Sequence, residues 1–439
     1  MHRLRTLWSD LLDSLWFLPA LIVGASVAAA VGLVELQGLL SDGAADRWPR
    51  LLGAGAEGAR GMLTAIATSM ITVAGVVFSI TIVALSLAAS QYSPRVLRSF
   101  MSDRPTQVVM GAFVGIFAYS LIVLRTIRSP EEDAFVPSLA VLGAMFFAFV
   151  GVALLIYFIH HLAKAIQAPY IVARIAGDTT QAIERLFPSE VGTPAPSFGR
   201  DSPPGAVPDE WVPLPAQRTG YVVGIDGERL LSLAAEHSVV LRIVPHVGDF
   251  VIEGMPIVCM SGRRAPDEKT TGALVECFTV GRERNVHQDA PFGIQQLVDV
   301  AMKALSPGIN DPSTAIACVD HLGALLVCLS KRRTEGPFRC RDGILRVIAE
   351  GPDFASMVSL SFDAITDHAG DHAEVLERLL DTLARIEEAT LDRARRAALL
   401  RQLDAVVQRI AAAKLAQQRR EALLRRGSEL RGRCARGSG

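Results

Sequence analysis

Six hydroxylated residues, Thr64, Thr68, Thr72, Ser79, Ser86 and Ser90, recur at intervals of four and seven within a charge-free stretch from Gly61 to Pro94. That spacing places the hydroxyls on one face of a helix. Two kinds of chemistry are open to such a face. Small hydroxylated side chains let helices approach closely and hydrogen-bond across an interface. Lining a water-filled path, the same dipoles replace part of an ion's hydration shell. The stretch closes on Gln91, Tyr92, Ser93, Pro94 and Arg95, with Arg98 one turn further. Tyr92 suits the interfacial belt, and Gln91, Arg95 and Arg98 either contact lipid phosphates or ring the inner mouth of an oligomeric pore.

A second polar cluster is Asn310, Asp311, Ser313 and Thr314, within Ser306-Pro307-Gly308-Ile309-Asn310-Asp311-Pro312 and the residues after it. The order reads as a helix stop and a helix start: Gly308 for a left-handed exit, Asp311 as N-cap, Pro312 at the first helical position. Because a helix N-terminus attracts anions, the same residues suit a small-ligand or subunit contact. Catalytic constellations are scarce. Gly53-x-Gly55-x-x-Gly58 matches a dinucleotide fingerprint in letters only, since no strand precedes it. His287, Asp289, Asp320 and His321 lack metal-site spacing, and His160 and His161 read as interfacial. No serine-hydrolase or phosphate-loop motif occurs. These residues predict a protein that is not an enzyme and that needs no metal or cofactor.

The elements that must carry these residues follow from composition. Of 439 residues, 50% are hydrophobic and 20% charged, with a mean hydropathy of +0.33; that is apolar for a soluble chain of this size. Charge-free runs extend over Leu15–Val34, Gly61–Pro94, Pro105–Leu124 and Ala134–Ala163. Each is long enough to cross roughly 30 Å of hydrocarbon as a helix. Four transmembrane helices are therefore expected, at about 15–40, 61–93, 105–124 and 134–163. The apolar part of the second, Met62 to Ala89, spans about 42 Å, so it tilts or projects into the cytoplasm. Gly24-Ala28-Gly32 and Gly111-x-x-x-Gly115 add close-packing signals.

Arg3, Arg5, Arg95, Arg98, Arg104, Lys164 and Arg174 flank one side of these spans, against Arg47, Arg50, Arg60, Arg125 and Arg128 on the other. The balance favours cytoplasmic N- and C-termini in a multi-pass bacterial inner-membrane protein. Six cysteines, all after residue 258 and none in a C-x-x-C pair, agree with a reducing compartment. A net charge of -1 excludes a whole-molecule electrostatic binder of nucleic acid.

The sequence from Val77 to Phe100, together with Ala304-Leu305-Ser306-Pro307-Gly308-Ile309-Asn310-Asp311-Pro312-Ser313-Thr314-Ala315, resembles a bacterial family of predicted membrane proteins known as domain of unknown function 2254. The likeness runs from the first span to about residue 390. It implies an integral inner-membrane protein with four N-terminal helices and a soluble C-terminal part, and it implies no settled activity.

Beyond the spans, residues 1–187 are expected to form the transmembrane domain with a cytoplasmic helical extension. A Pro-rich linker follows at 188–217. Residues 218–286 read as a small β-barrel or sandwich-like module, with strands at Tyr221–Ile225, Val239–Val244, Phe250–Ile252, Ile257–Met260 and Leu274–Val280. Residues 287–426 read as a mostly helical domain ending in one long helix, Leu391–Leu424, whose Leu399, Leu403, Val406 and Ile410 form a coiled-coil-like seam. A basic, disordered tail occupies 427–439. The fold class expected is a four-helix membrane domain followed by an α+β cytoplasmic domain. Its partners are the lipid bilayer, further copies of the chain, and ions or small solutes.

Overall fold

A computed structural model describes residues 16–39, 55–92, 103–128, 135–186, 208–286, 289–332, 336–390 and 392–436. The chain divides into two units, Met1–Gln167 and Ala168–Gly439.

Among its described residues the first unit holds four long helices: α1 Phe17–Leu39, α2 Ala56–Gln91, α3 Arg104–Thr126 and α4 Ser138–Ala165. The sequence of α3 makes it the centre. Its Gly111 and Gly115 admit α1 so closely that a Cβ at Gly111 would lie 2.8 Å from Pro19 Cα, and one at Gly115 would lie 2.5 Å from Ser26 Oγ. Phe113, Ile116, Tyr119 and Val123 fill the space toward α2 and α4. Tyr119 settles its hydroxyl by donating to the carbonyl of Ala140, 2.8 Å away, as a buried phenol requires. The outward surface is the reverse of a soluble bundle. Leu21, Val83, Phe146, Phe149, Ile156 and Ile159 are all more than half exposed, an apolar exterior suited to hydrocarbon.

The second unit opens with α5 Ala168–Leu186. The sequence places this helix in the transmembrane domain, as an extension to residue 187. Instead its apolar face, Ile171, Val172, Ile175, Ala176, Thr179 and Ile183, is buried against α8 Ala290–Ala304 and α9 Pro312–Ser330. Thr179 sits so near Gly293 that no Cβ fits there.

Between them come β1 Trp211–Pro215, β2 Gly220–Ile225, α6 Gly227–Glu236, β3 Leu241–Ile243, β4 Phe250–Val251, β5 Pro256–Ser261, α7 Glu268–Val275 and β6 Phe278–Gly281. The stretch Leu274–Val280, expected as strand, is thus the end of a helix and the start of β6. β7 Phe338–Arg341 and β8 Ile344–Ile348 follow later in the chain.

The strands form a five-stranded sheet in the order β1-β5-β3-β8-β7 and a three-stranded sheet in the order β4-β2-β6. The five-stranded sheet draws β1 from the expected linker and β7 and β8 from the expected helical domain. The 218–286 stretch is therefore not self-contained: strands from before and after it complete its larger sheet. Its cause is the free edge of β3, which β8 covers in parallel with Leu241 opposite Val347. Leu214, Val222, Leu230, Leu241, Ile257, Leu274 and Phe278 make the core beneath.

Aspartates start most helices here. Asp226, Asp267, Asp289, Asp311, Asp353 and Asp392 each accept a hydrogen bond from a backbone N–H of the first turn, each worth about 1 kcal/mol. The last four helices are α10 Phe354–His368, α11 Ala373–Ala389, α12 Arg393–Ala412 and α13 Gln417–Arg436. The long terminal helix expected over Leu391–Leu424 is broken at Ala413–Ala416. Nothing in Ala413-Lys414-Leu415-Ala416 opposes helix. The break is fixed from outside: the Lys414 N–H donates to Asp371 Oδ1 at 2.7 Å. α13 then folds back on α12, where Gly427 lies against Val407. Leu399, Leu403, Val406 and Ile410 are buried in this hairpin.

The tail expected to be disordered from 427 is helical to Arg436. Arg426 pairs with Glu377 and Asp381, Arg431 with Asp404, and Arg433 with Glu388.

Candidate functional site

In α2 the residues turned inward are Ala59, Leu63, Ala67, Met70, Ala74, Val77 and Ala88. Thr64, Thr68, Thr72, Ser79, Ser86, Ser90 and Gln91 are all exposed. At about 100° per residue the six hydroxyls fall within a sector of about 80°, and the buried residues centre on the opposite side. Gly61 and Gly75 lie in the same outward sector and are exposed as well. Among the described residues, the seam therefore packs against no other helix.

Two of its hydroxyls are satisfied locally: Thr72 Oγ1 donates to the Thr68 carbonyl at 2.7 Å and Ser90 Oγ to the Leu87 carbonyl at 2.9 Å. Arg95 and Arg98 lie outside the described residues. Beside them Tyr92 donates to the Ile166 carbonyl at 3.1 Å, tying the end of α2 to the end of α4.

Gly24, Ala28 and Gly32 of α1 are exposed, and a Cβ at Gly24 or Gly32 would meet nothing. The two small-residue signals in the sequence thus part company. Gly111 and Gly115 pack within the chain, while the α1 series faces outward.

The polar residues that hold the bundle together sit at its two ends. At the Tyr92 end, Asp103 caps α3, accepting from Thr106 N at 3.2 Å and Thr106 Oγ1 at 2.7 Å. Its Oδ2 also lies 2.8 Å from His161 Nε2 in α4, and the His161 ring stacks on Tyr157. At the other end, Gln37 donates to the Val136 carbonyl and accepts from Leu139 N–H, while Arg60 donates to the Ile127 carbonyl. These are helix ends satisfied by side chains of neighbouring helices. Asp103 was missed in the sequence, although its place two residues before Pro105 and three before Thr106 is a capping signal.

In the second unit, the left-handed residue of the Ser306–Pro312 turn is Asn310, with φ 52°, and not Gly308. Asp311 caps α9 as expected from its position, its carboxylate taking both Thr314 N–H and Thr314 Oγ1. Asn310 and Ser313 are exposed. The residues considered as metal ligands do not gather. Asp289 is buried and held in a two-point ion pair by Arg284, Asp320 pairs with Arg378 on another helix, and His287 lies outside the described residues. Among the described residues no three His, Cys, Asp or Glu side chains stand together as a metal site. An open groove of about 490 Å³ runs along the five-stranded sheet, lined by Arg242, Val244, His246, Cys259 and Glu350 among others.

A bundle of long helices with an apolar exterior, followed by a mixed α/β unit, defines an integral membrane protein with a substantial folded appendage. Among the described residues, five helices are long and apolar enough to cross a membrane: α1 to α4 and, in the second unit, α9. The chain belongs to the family described as Predicted membrane protein (DUF2254), which it matches over residues 12–385. It is 33% identical over 416 residues, 92% of this chain and 78% of theirs, to the uncharacterized proteins Rv1290c of Mycobacterium tuberculosis and Mb1321c of Mycobacterium bovis. No solved structure matches it.

Proposed function

We propose that the chain is a four-span inner-membrane protein that assembles as a homo-oligomer and conducts or transports ions or small solutes. In this reading both termini are cytoplasmic and the second unit forms a vestibule or regulatory domain. The observation that carries the proposal is the outward hydroxyl and glycine face of α2, opposite its buried face. In a monomer that face meets lipid, where hydroxyls gain nothing; in an assembly around α2 it meets water or a second α2. The count of four spans is supported by α9, whose Cys318, Leu322, Leu325 and Leu326 are buried within the second unit and whose middle carries the Asp320–Arg378 pair. Arg95 and Arg98 supply the basic flank at the proposed inner mouth, and Asn310, Asp311, Ser313 and Thr314 remain the proposed ligand or subunit contact.

A second reading is a membrane-anchored sensor or scaffold whose soluble unit binds a ligand or protein partner. The self-satisfied hydroxyls of Thr72 and Ser90 favour it, because a lipid-facing hydroxyl settles in this way. Reconstitution in a planar bilayer separates the two. Solute-selective current that Thr72→Trp or Ser79→Trp abolishes supports conduction, and silence across ions and voltages, or a strict monomer by mass in detergent, sinks it.

A further inference from the structure

The turn between β4 and β5 reads Phe250-Val251-Ile252-Glu253-Gly254-Met255-Pro256. Val251 points into the core at 7% exposure, whereas Phe250, Ile252 and Met255 are exposed by 57%, 52% and 57%. Three bulky apolar side chains thus project from one short segment of a unit whose surface is otherwise rich in charge, and a concentration of this kind marks a contact surface.

The turn is held firmly. Gly254 takes φ 86°, Met255 N–H donates to the Ile252 carbonyl, and Gly254 N–H and the Met255 carbonyl bond the carbonyl and N–H of Ala216. Glu253 N–H donates to Thr219 Oγ1 at 3.0 Å, and Tyr221 braces Phe250 edge-on. Arg218, in the turn that makes these bonds, is exposed beside it.

We propose that this turn is a lipid-inserting tip, seating Phe250, Ile252 and Met255 at the boundary between headgroups and acyl chains, with Arg218 placed for a phosphate. The lipid surface is the occupant for three reasons. Only Ile166 and Gln167 separate the apolar span α4 from α5, so the second unit is tethered by its first helix directly to a membrane-spanning one. The projecting side chains offer no hydrogen-bonding group, which matches hydrocarbon. β4, the edge strand here, is two residues long, too short to add a partner strand. The inference rests on the membrane placement of the first unit and is independent of conduction.

The test uses the full chain in vesicles of phosphatidylethanolamine and phosphatidylglycerol containing a phospholipid with a diazirine on its acyl chain. After illumination and digestion, lipid adducts are expected on the peptide covering Phe250–Pro256 as well as on the spans. In the triple variant Phe250→Ser, Ile252→Ser, Met255→Ser the turn adduct falls to background while span adducts persist. Span adducts without any on the wild-type turn overturn the proposal. The wild-type result decides even where the variant does not fold.

Discussion

His161 and Asp103, 58 residues apart in sequence, meet at 2.8 Å with only 12% and 11% of their side chains exposed. One carboxylate thereby starts α3 and clasps the end of α4. Asp103→Ala removes a cap worth about 1 kcal/mol together with a hydrogen bond to a charged group worth about 1.5–3 kcal/mol. A loss of about 2–4 kcal/mol is expected. His161→Ala, which spares the cap, loses less. Thermal unfolding in detergent ranks the two; equal losses would show that the cap contributes nothing.

Gly111→Leu and Gly115→Leu force side chains into Pro19, Ile22 and Ser26 of α1, and overpacking of this kind costs about 1–3 kcal/mol. Gly24→Leu and Gly32→Leu meet open space and leave the melting temperature of the monomer unchanged. In the proposed assembly the α1 pair alters oligomer mass instead. Native mass spectrometry in detergent, run beside a melting curve, tells a fold effect from an assembly effect.

How far these relationships were legible beforehand depends on distance along the chain. The long apolar helices, the β2 strand and the Asp311 cap were readable because each is written in a local pattern: a charge-free run, an alternation, an Asp before a helix. The break at Ala413–Ala416 was not, because every residue there favours helix and the stop comes from Asp371, more than forty residues upstream. The same holds for β1 and β7, short strands made into sheet by β5 and β8. The hydroxyl stripe was legible as a face, but which way the face points depends on where α3 lies. The Asp103–His161 clasp required knowing that α3 and α4 meet.

Arg395 is a buried cation that closes the end of α9, donating to the carbonyls of Leu329, Ser330 and Arg332 and lying over the Phe354 ring. Arg395→Met leaves these carbonyls without their donor and is expected to cost about 3 kcal/mol. Arg395→Lys recovers only part of that, since one ammonium cannot span the fork. Denaturant unfolding of the full chain in detergent checks both; full rescue by lysine would refute the fork argument.

Burial pushes the Cys277 thiol up to about 11 from an ordinary value of 9.0, and its Sγ donates to the Ala273 carbonyl. A raised thiol pKa means that the folded state holds its proton more tightly than the unfolded one, so stability is intact below pH 9 and declines as pH rises toward 11. Maleimide labelling of Cys277 is correspondingly slow at neutral pH and accelerates about tenfold per pH unit. Mass spectrometry of the labelled peptide follows it. Rapid labelling at neutral pH in the folded protein would contradict the burial argument.

The 36 residues of α2 form a rod of about 54 Å, against roughly 30 Å of hydrocarbon. A lever so much longer than its fulcrum multiplies angle into travel: leaning by about 10° carries one tip about 9 Å sideways relative to the other. Small differences in bilayer thickness at one end thus become displacements the width of a helix at the other.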